Sequence, residues 1–305
     1  MGRRLSPLLP PGEAERRAVR LPGLAAPAAG RSRAAVTEAS SFRRILTEQQ
    51  YGTADNLAAR QAIYRWAESP VDASRWALDL IAWRGGERVV DVGCGNGRYL
   101  PLARERGASL VVACDLSAGM LAGIEPFGLH RMLVQADAQS LPLNSDSVDV
   151  ALAMHMLYHV PSVVTAAREL RRVVRPGGTV LAMTNGRDHQ AELQALAADA
   201  MSAVAGVRVE RPSLIAGFTF ENGEDQLAAA FTRIEAHELR RSLAVPDVAP
   251  LVAYIDSQRV PVAWLLPDVA MWPAVLEEAG RIAGARIARD GVFRARTHVG
   301  VFVCR

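Results

Sequence analysis

Three aspartates, three alternating glycines and a short cluster of imidazoles with one phenol are the residues in this chain best suited to chemistry. Asp91, Gly93, Gly95 and Gly97 follow the apolar run Arg88–Val92 and precede a helix-like stretch. Glycines there permit positive φ angles and let a backbone approach a ligand closely. A dinucleotide fingerprint would carry its last glycine five residues after the first, opening a helix toward a pyrophosphate. Arg98 holds that place here, and the third glycine comes one residue early. Taken alone, the triplet fits a ligand-free strand-to-helix turn equally well. Asp115 ends the next apolar run, 24 residues after Asp91. A carboxylate there can accept hydrogen bonds from both hydroxyls of a ribose, although aspartates also end strands and cap helices for purely structural reasons. Past a later apolar run comes Met154-His155-Met156-Leu157-Tyr158-His159. His155, Tyr158 and His159 are the candidate catalytic residues, as a general base for a hydroxyl or protonated amine. The alternative for each is an imidazole or phenol that only packs or bonds to backbone.

These residues need elements that bring them together, and the patterning supplies them. Strand-like runs lie at Arg88–Val92, Ser109–Asp115, Arg131–Ala136, Val148–Met154 and Thr179–Met183. Helical stretches separate them at about 97–106, 117–123, 161–174 and 188–204. Such alternation with short loops predicts a parallel, doubly wound α/β sheet. Ahead of it, Asp55 and Asp72 are placed to cap two helices. Ser117 is placed to cap the helix after Asp115, and Arg175-Pro176-Gly177-Gly178 predicts a turn into the fifth strand. The C-terminal third differs: strands are expected at Phe231–Arg240 and Val292–Cys304, with helices at about 222–230, 247–258 and 270–289.

Composition narrows the class. No apolar run approaches the ~18 residues of a membrane span. Cys94, Cys114 and Cys304 lie far apart without metal-type spacing, so no metal site and a reduced, cytoplasmic protein are expected. The net charge of +3 divides unevenly: residues 1–44 hold nine arginines against three glutamates, a local +6, which leaves −3 for the rest. A basic, Pro- and Ala-rich extension, expected to be disordered, thus precedes a mildly acidic body without a nucleic-acid footprint. A transit peptide is the alternative reading of that extension. Oligomeric state is not legible.

The turn Asp91-Val92-Gly93-Cys94-Gly95-Asn96-Gly97, the run Asp115-Leu116-Ser117-Ala118-Gly119-Met120, Asp137-Ala138 and the Arg175–Gly178 turn occur in an order that resembles the class I S-adenosylmethionine-dependent methyltransferases, of the broad group that includes the quinone-biosynthesis enzymes. The likeness covers roughly residues 85–185. It implies a Rossmann-like sheet of seven strands whose antiparallel last strand inserts between strands five and six. N-terminal helices would occupy 45–84, the cofactor-binding core 85–185, and the last strands with lid-forming insertions 186–305. The implied cofactor is S-adenosylmethionine, bound by Asp91, Gly93, Gly95, Gly97, Asp115, Leu116, Met120, Asp137, Ala138 and Met154, with Asp137 and Ala138 at the adenine. Tyr51-Gly52-Thr53-Ala54-Asp55 through Arg60 resembles a segment that folds over the cofactor, with Tyr51 and Arg60 near the methionine carboxylate; a solvated helix face is the alternative. The acceptor implied is a small molecule, as in secondary-metabolite tailoring, methylated at oxygen, nitrogen or carbon. Asn185 and His189 are weaker candidates near the acceptor. Phe218, Phe220, Trp264 and Trp272 could line its pocket, with core packing as the commoner fate of such residues. Three rivals stand beside this reading. A nicotinamide oxidoreductase is disfavoured by the glycine spacing. A base-amino methyltransferase would carry an aromatic-ended signature after strand four, where this chain has Ala153-Met154-His155-Met156; RNA modification by another route stays open. A cofactor-binding protein without catalysis is the third.

Overall fold

The computed structural model of the chain describes residues 49–124 and 132–305. The expected basic extension over 1–44 and the opening of the third strand at Arg131 lie outside them. Seven strands form one sheet in the order β3-β2-β1-β4-β5-β7-β6. They are β1 Arg88–Val92, β2 Leu110–Asp115, β3 Leu133–Gln135, β4 Val148–Met154, β5 Val174–Asn185, β6 Ile234–Val245 and β7 Phe293–Cys304. The first five pair in parallel, and β7 runs antiparallel between β5 and β6. This is the Rossmann-like arrangement that the turn motifs imply, with its last strand inserted where expected.

The central strands are apolar throughout because both of their faces are covered. On one face Val90, Ala151 and Val180 pack with Leu170 of α5 (Val163–Val173) and with Phe218 and Phe302. On the other, Val89, Leu152 and Leu181 meet α2 (Ala73–Leu78) and α3 (Tyr99–Glu105). A third core lies beyond the sheet edge. There α6 (Ala191–Ala205), α8 (Val248–Asp256) and α9 (Trp272–Asp290) close around Leu243, Val245 and Phe293. No single helix among the described residues is long and apolar enough to cross a membrane.

Several boundaries differ from the sequence reading for identifiable reasons. The helix α1 is Asp55–Ala62, but its N-cap is Ala54. Asp55 sits in the first turn, where its carboxylate accepts from Thr53 Oγ1 at 2.9 Å and its charge suits the helix dipole. Asp72 does cap α2, accepting from the amides of Ser74 and Arg75, and Ser117 caps α4 (Ala118–Ala122). The Arg175–Gly178 stretch lies within β5 rather than ahead of it. Pairing with β4 jumps from Val148↔Val174 to Val150↔Thr179, and Gly177, at φ +75°, takes up the excursion. The sixth strand begins at Ile234 and runs on to Val245, because its ladder is set by the twelve residues of β7. Phe231 instead packs into the core after α7 (Phe220–Leu227).

Candidate functional site

The strand order reverses between β1 and β4, and such a switch point opens a crevice at the C-terminal ends of the strands. A cavity of about 940 Å³ occupies it. At one end lies the glycine turn. Gly93 N and Cys94 N donate to Cys114 O at 2.7 and 3.0 Å, and Gly95 N donates to Asp115 Oδ2 at 2.8 Å. Gly93 has φ +69°, and a Cβ on it would lie 2.7 Å from Cβ of Met156, so position 93 accepts glycine alone. The Ser117 amide donates to Asp115 Oδ1 at 2.9 Å. Backbone donors thus aim the Asp115 carboxylate, which stands on the cavity wall with acceptor capacity remaining. Burial raises its pKa, against the pull of those amides.

Leu116, Met120, Asp137, Ala138 and Met154 continue the wall at this end. The Gln139 amide donates to Asp137 Oδ1 at 2.9 Å, which holds the turn after β3. Two sequence-predicted contacts do not reach the wall. Gly97 turns the chain into α3 beneath the surface, its amide bonded to Cys94 O at 2.9 Å. Asp91 is fully buried under the turn with neither carboxylate oxygen hydrogen-bonded. Loss of hydration, and then the Asp115 charge, push its pKa to about 8, so it is largely protonated at neutral pH. The acid that precedes the glycines therefore lies below the cavity wall rather than on it.

The N-terminal segment folds across the cavity. Ser117 Oγ donates to Tyr51 O at 2.8 Å, the Tyr51 hydroxyl pairs with His159 Nε2 at 3.0 Å, and the Arg60 guanidinium lies 5.2 Å from the centre of the Tyr51 ring. Gly119 permits this seat: a side chain there would collide with the carbonyl oxygen of Gly52. Tyr51, Arg60, Tyr158 and His159, spread over more than a hundred positions of sequence, thus meet at one place. Arg60 Nε and Nη2 are buried without a partner.

The far end is assembled from side chains. The Tyr64 hydroxyl pairs with His189 Nε2 at 3.0 Å, Gln190 Nε2 donates to Tyr64 Oη at 3.4 Å, and the Tyr254 hydroxyl donates to Gln190 Oε1. His155 and Gln190 both hold left-handed backbone conformations, at φ 56° and 54°. Non-glycine residues rarely do so unless their surroundings enforce it, and such strain concentrates at sites. Burial leaves all three imidazoles reluctant to protonate: His155 falls to about 4, helped by Arg98, His159 to about 3, helped by Arg60, and His189 to about 3, helped by His155. They are neutral at pH 7, hence hydrogen-bonding groups and only weak bases.

Sequence reasoning missed Tyr64, Gln190, Arg211 and Tyr254 at this end. None of the four stands in a sequence motif. The four aromatic candidates for the pocket wall do not line the cavity. Phe218 and Phe220 pack against Phe302, with ring centroids 6.0 and 5.4 Å away. Trp272 is buried in the third core, bonded to Asp256 Oδ1 at 2.7 Å, and Trp264 is 65% exposed. Asn185 and His189, by contrast, both line it.

Comparison with known proteins agrees with this architecture. Residues 90–182 match the methyltransferase domain family. The chain is 34% identical over 182 residues to a malonyl-[acyl-carrier protein] O-methyltransferase of Serratia marcescens, covering 59% of this chain and 67% of that one. It spans about half the length of other curated relatives that it matches. Among solved structures, a methyltransferase-like protein of Bacillus halodurans superposes with a TM-score of 0.52 at 17% identity, over 76% of this chain and 98% of that one. The (4+2)-cyclase SpnF superposes with a TM-score of 0.52 at 19% identity, over 87% and 96%. The chain belongs to the class I S-adenosylmethionine-dependent methyltransferase family.

Proposed function

We propose that this protein binds S-adenosylmethionine at the glycine turn and transfers its methyl group to a small-molecule acceptor held in the same cavity. The observation that carries this reading is continuity: one cavity runs from Asp137 and Asp115, past Gly93, to Tyr64, His189 and Tyr254. The residues fit the cofactor. Asp115 is aimed by two amides and keeps acceptor capacity for a ribose diol. Arg60 keeps two buried N–H groups without partners, suited to a carboxylate. Asp137 and Ala138, on the same wall as Asp115, would take the adenine, with Met154 lining the cavity beside them.

Bound in this way, the cofactor supplies a sulfonium methyl that is already electrophilic. The chain's task is then to align the acceptor and exclude water. Tyr51 and the segment around it cover the turn, held by Ser117 and His159. His155, Tyr158 and His159 line the same cavity and would meet the acceptor there. Their imidazoles, neutral and weakly basic, orient an acceptor hydroxyl or amine more effectively than they remove its proton. The fold alone does not fix the chemistry, since a cyclase shares it. A cofactor-dependent reaction other than methyl transfer is therefore the second reading. Calorimetry with S-adenosylhomocysteine and with NADH tests the cofactor. Saturable binding of the first and none of the second is expected; NADH binding alone would end the methyltransferase reading.

A further inference from the structure

Many arginines outside the cavity pair with carboxylates, among them Arg172 with Glu169 at 2.7 Å, Arg296 with Glu192 at 2.6 Å and Arg106 with Asp79 at 2.6 Å. On the cavity wall Arg98 does the same with Asp72 at 3.4 Å. Arg211 does not. It stands half-buried in the extended loop between α6 and α7, donating from Nη1 to Gln194 Oε1 at 2.9 Å and from Nη2 to Gln258 Oε1 at 2.8 Å. Its Nε is buried without a partner. Both glutamines are neutral, so the guanidinium is held in place without its charge being compensated. Among the described residues, the acids on the wall are Asp72, committed to Arg98, and Asp115 and Asp137 at the glycine-turn end. Arg241, also on the wall, gives Nη1 to the carbonyl of Val71 and has a buried Nε without a partner.

A guanidinium taken partly out of water with no counter-charge is costly, and an incoming anion removes that cost. Burial lowers the pKa of Arg211, which is the same cost seen as proton affinity. The neighbouring wall is aromatic with polar tips, from Tyr254 and Tyr64. One planar guanidinium steadied by two amides matches the single charge and flat fork of a carboxylate. A phosphoryl dianion would call for several guanidinium groups bonded to it together, whereas the Nη groups of Arg211 are already held apart by Gln194 and Gln258.

We propose that the acceptor is a carboxylate-bearing small molecule with an apolar or aromatic body, whose carboxylate docks at Arg211 while the body lies along Tyr254 and Tyr64 toward the glycine turn. This rests on the methyltransferase reading for the word acceptor, but the anion site itself does not. It makes Arg211 a specificity residue at the end of the cavity remote from Asp115.

The test uses the full chain saturated with S-adenosylhomocysteine. Hexanoate, octanoate and phenylacetate are each titrated beside the matching primary amide, with inorganic phosphate as a further probe, by calorimetry and thermal shift. At least one acid is expected to bind about tenfold or more tightly than its amide. Arg211→Gln should erase that preference with S-adenosylhomocysteine affinity unchanged, and Arg211→Lys should keep part of it. The proposal is overturned if no acid outdoes its amide, if Arg211→Gln retains the preference, or if phosphate alone stabilises the protein. The wild-type comparison of acid with amide requires no variant to fold. Failure of S-adenosylhomocysteine to bind would count against the cofactor reading instead, and the acid–amide comparison can then be made on the free protein.

Discussion

The two ends of the cavity are built in different ways. At the glycine turn, contiguous backbone does the work: the amides of Gly93, Cys94 and Gly95 reach the end of β2, and Asp115 is aimed by peptide N–H groups. At the far end, Tyr64, the neighbours His189 and Gln190, Arg211 and Tyr254 come from four separate stretches joined by side-chain hydrogen bonds, Arg211 by way of Gln194. A backbone-built site demands fixed residue types at fixed spacing, because glycine conformations and strand ends permit little else. A side-chain-built site can be met by many residue combinations. The first end should therefore be intolerant of substitution and specific for one ligand, and the second should tune which acceptor is used.

Substitutions that strike one end and spare the other test this contrast. The largest effect is expected from Asp115→Ala, which removes the proposed ribose acceptors and the anchor of the Gly95 amide together. S-adenosylhomocysteine affinity should fall on the order of a hundredfold by calorimetry. Affinity within a factor of two or three of wild type would contradict the assignment.

Asp91→Asn comes next and separates support from contact. The folded carboxyl titrates near 8, against about 4 in the unfolded chain. Its contribution to stability is fully present below the unfolded value and is lost as pH rises toward 8, since the unfolded chain releases the proton first. Asp91→Asn should thus gain on wild type between about pH 4 and 8, by on the order of a few kcal/mol at the upper end. The three buried imidazoles act in the other direction, costing stability as pH falls below their unfolded value, but that loss is common to both proteins. Denaturation curves measured across this range would show parallel lines if Asp91 were ionised in the fold.

Much of the glycine-turn end was legible because strand, turn and carboxylate are adjacent in sequence. β1 and β4 were expected with the bounds found, and Asp115, Leu116, Met120, Asp137, Ala138 and Met154 all stand on the wall. Spacing could not tell that Asp91 lies beneath that wall, because burial depth is a tertiary property. The far end was poorly legible for the same reason. Phe218, Phe220 and Trp272 carry the composition of a pocket but serve the cores, whereas Arg211 and Gln190 carry no pattern and line the cavity. The reach of β6 depended on its partner β7 and on nothing local.

Two smaller effects sharpen the contrast. Tyr51→Phe removes the hydroxyl that pairs with His159 but keeps the ring beneath Arg60. It should lower kcat/KM by roughly three- to tenfold, with thermal stability little changed. Equal kcat/KM in wild type and variant would show that this bond has no part in closing the site. Trp264→Ala should do least of all. The ring is largely exposed and does not line the cavity, so stability is expected within about 0.5 kcal/mol of wild type. A clear loss of acceptor turnover in that variant would return Trp264 to the pocket.

The proposed function puts a methyl donor at the backbone-built end of one cavity and a small acceptor at its side-chain-built end. The most direct test supplies S-adenosylmethionine labelled in the methyl group to purified protein with fractionated small molecules, bulk RNA and protein as separate acceptor pools. Label is expected in the small-molecule pool and should be lost with Asp115→Ala. Label confined to RNA or protein, or cofactor binding with no transfer to any pool, would contradict it.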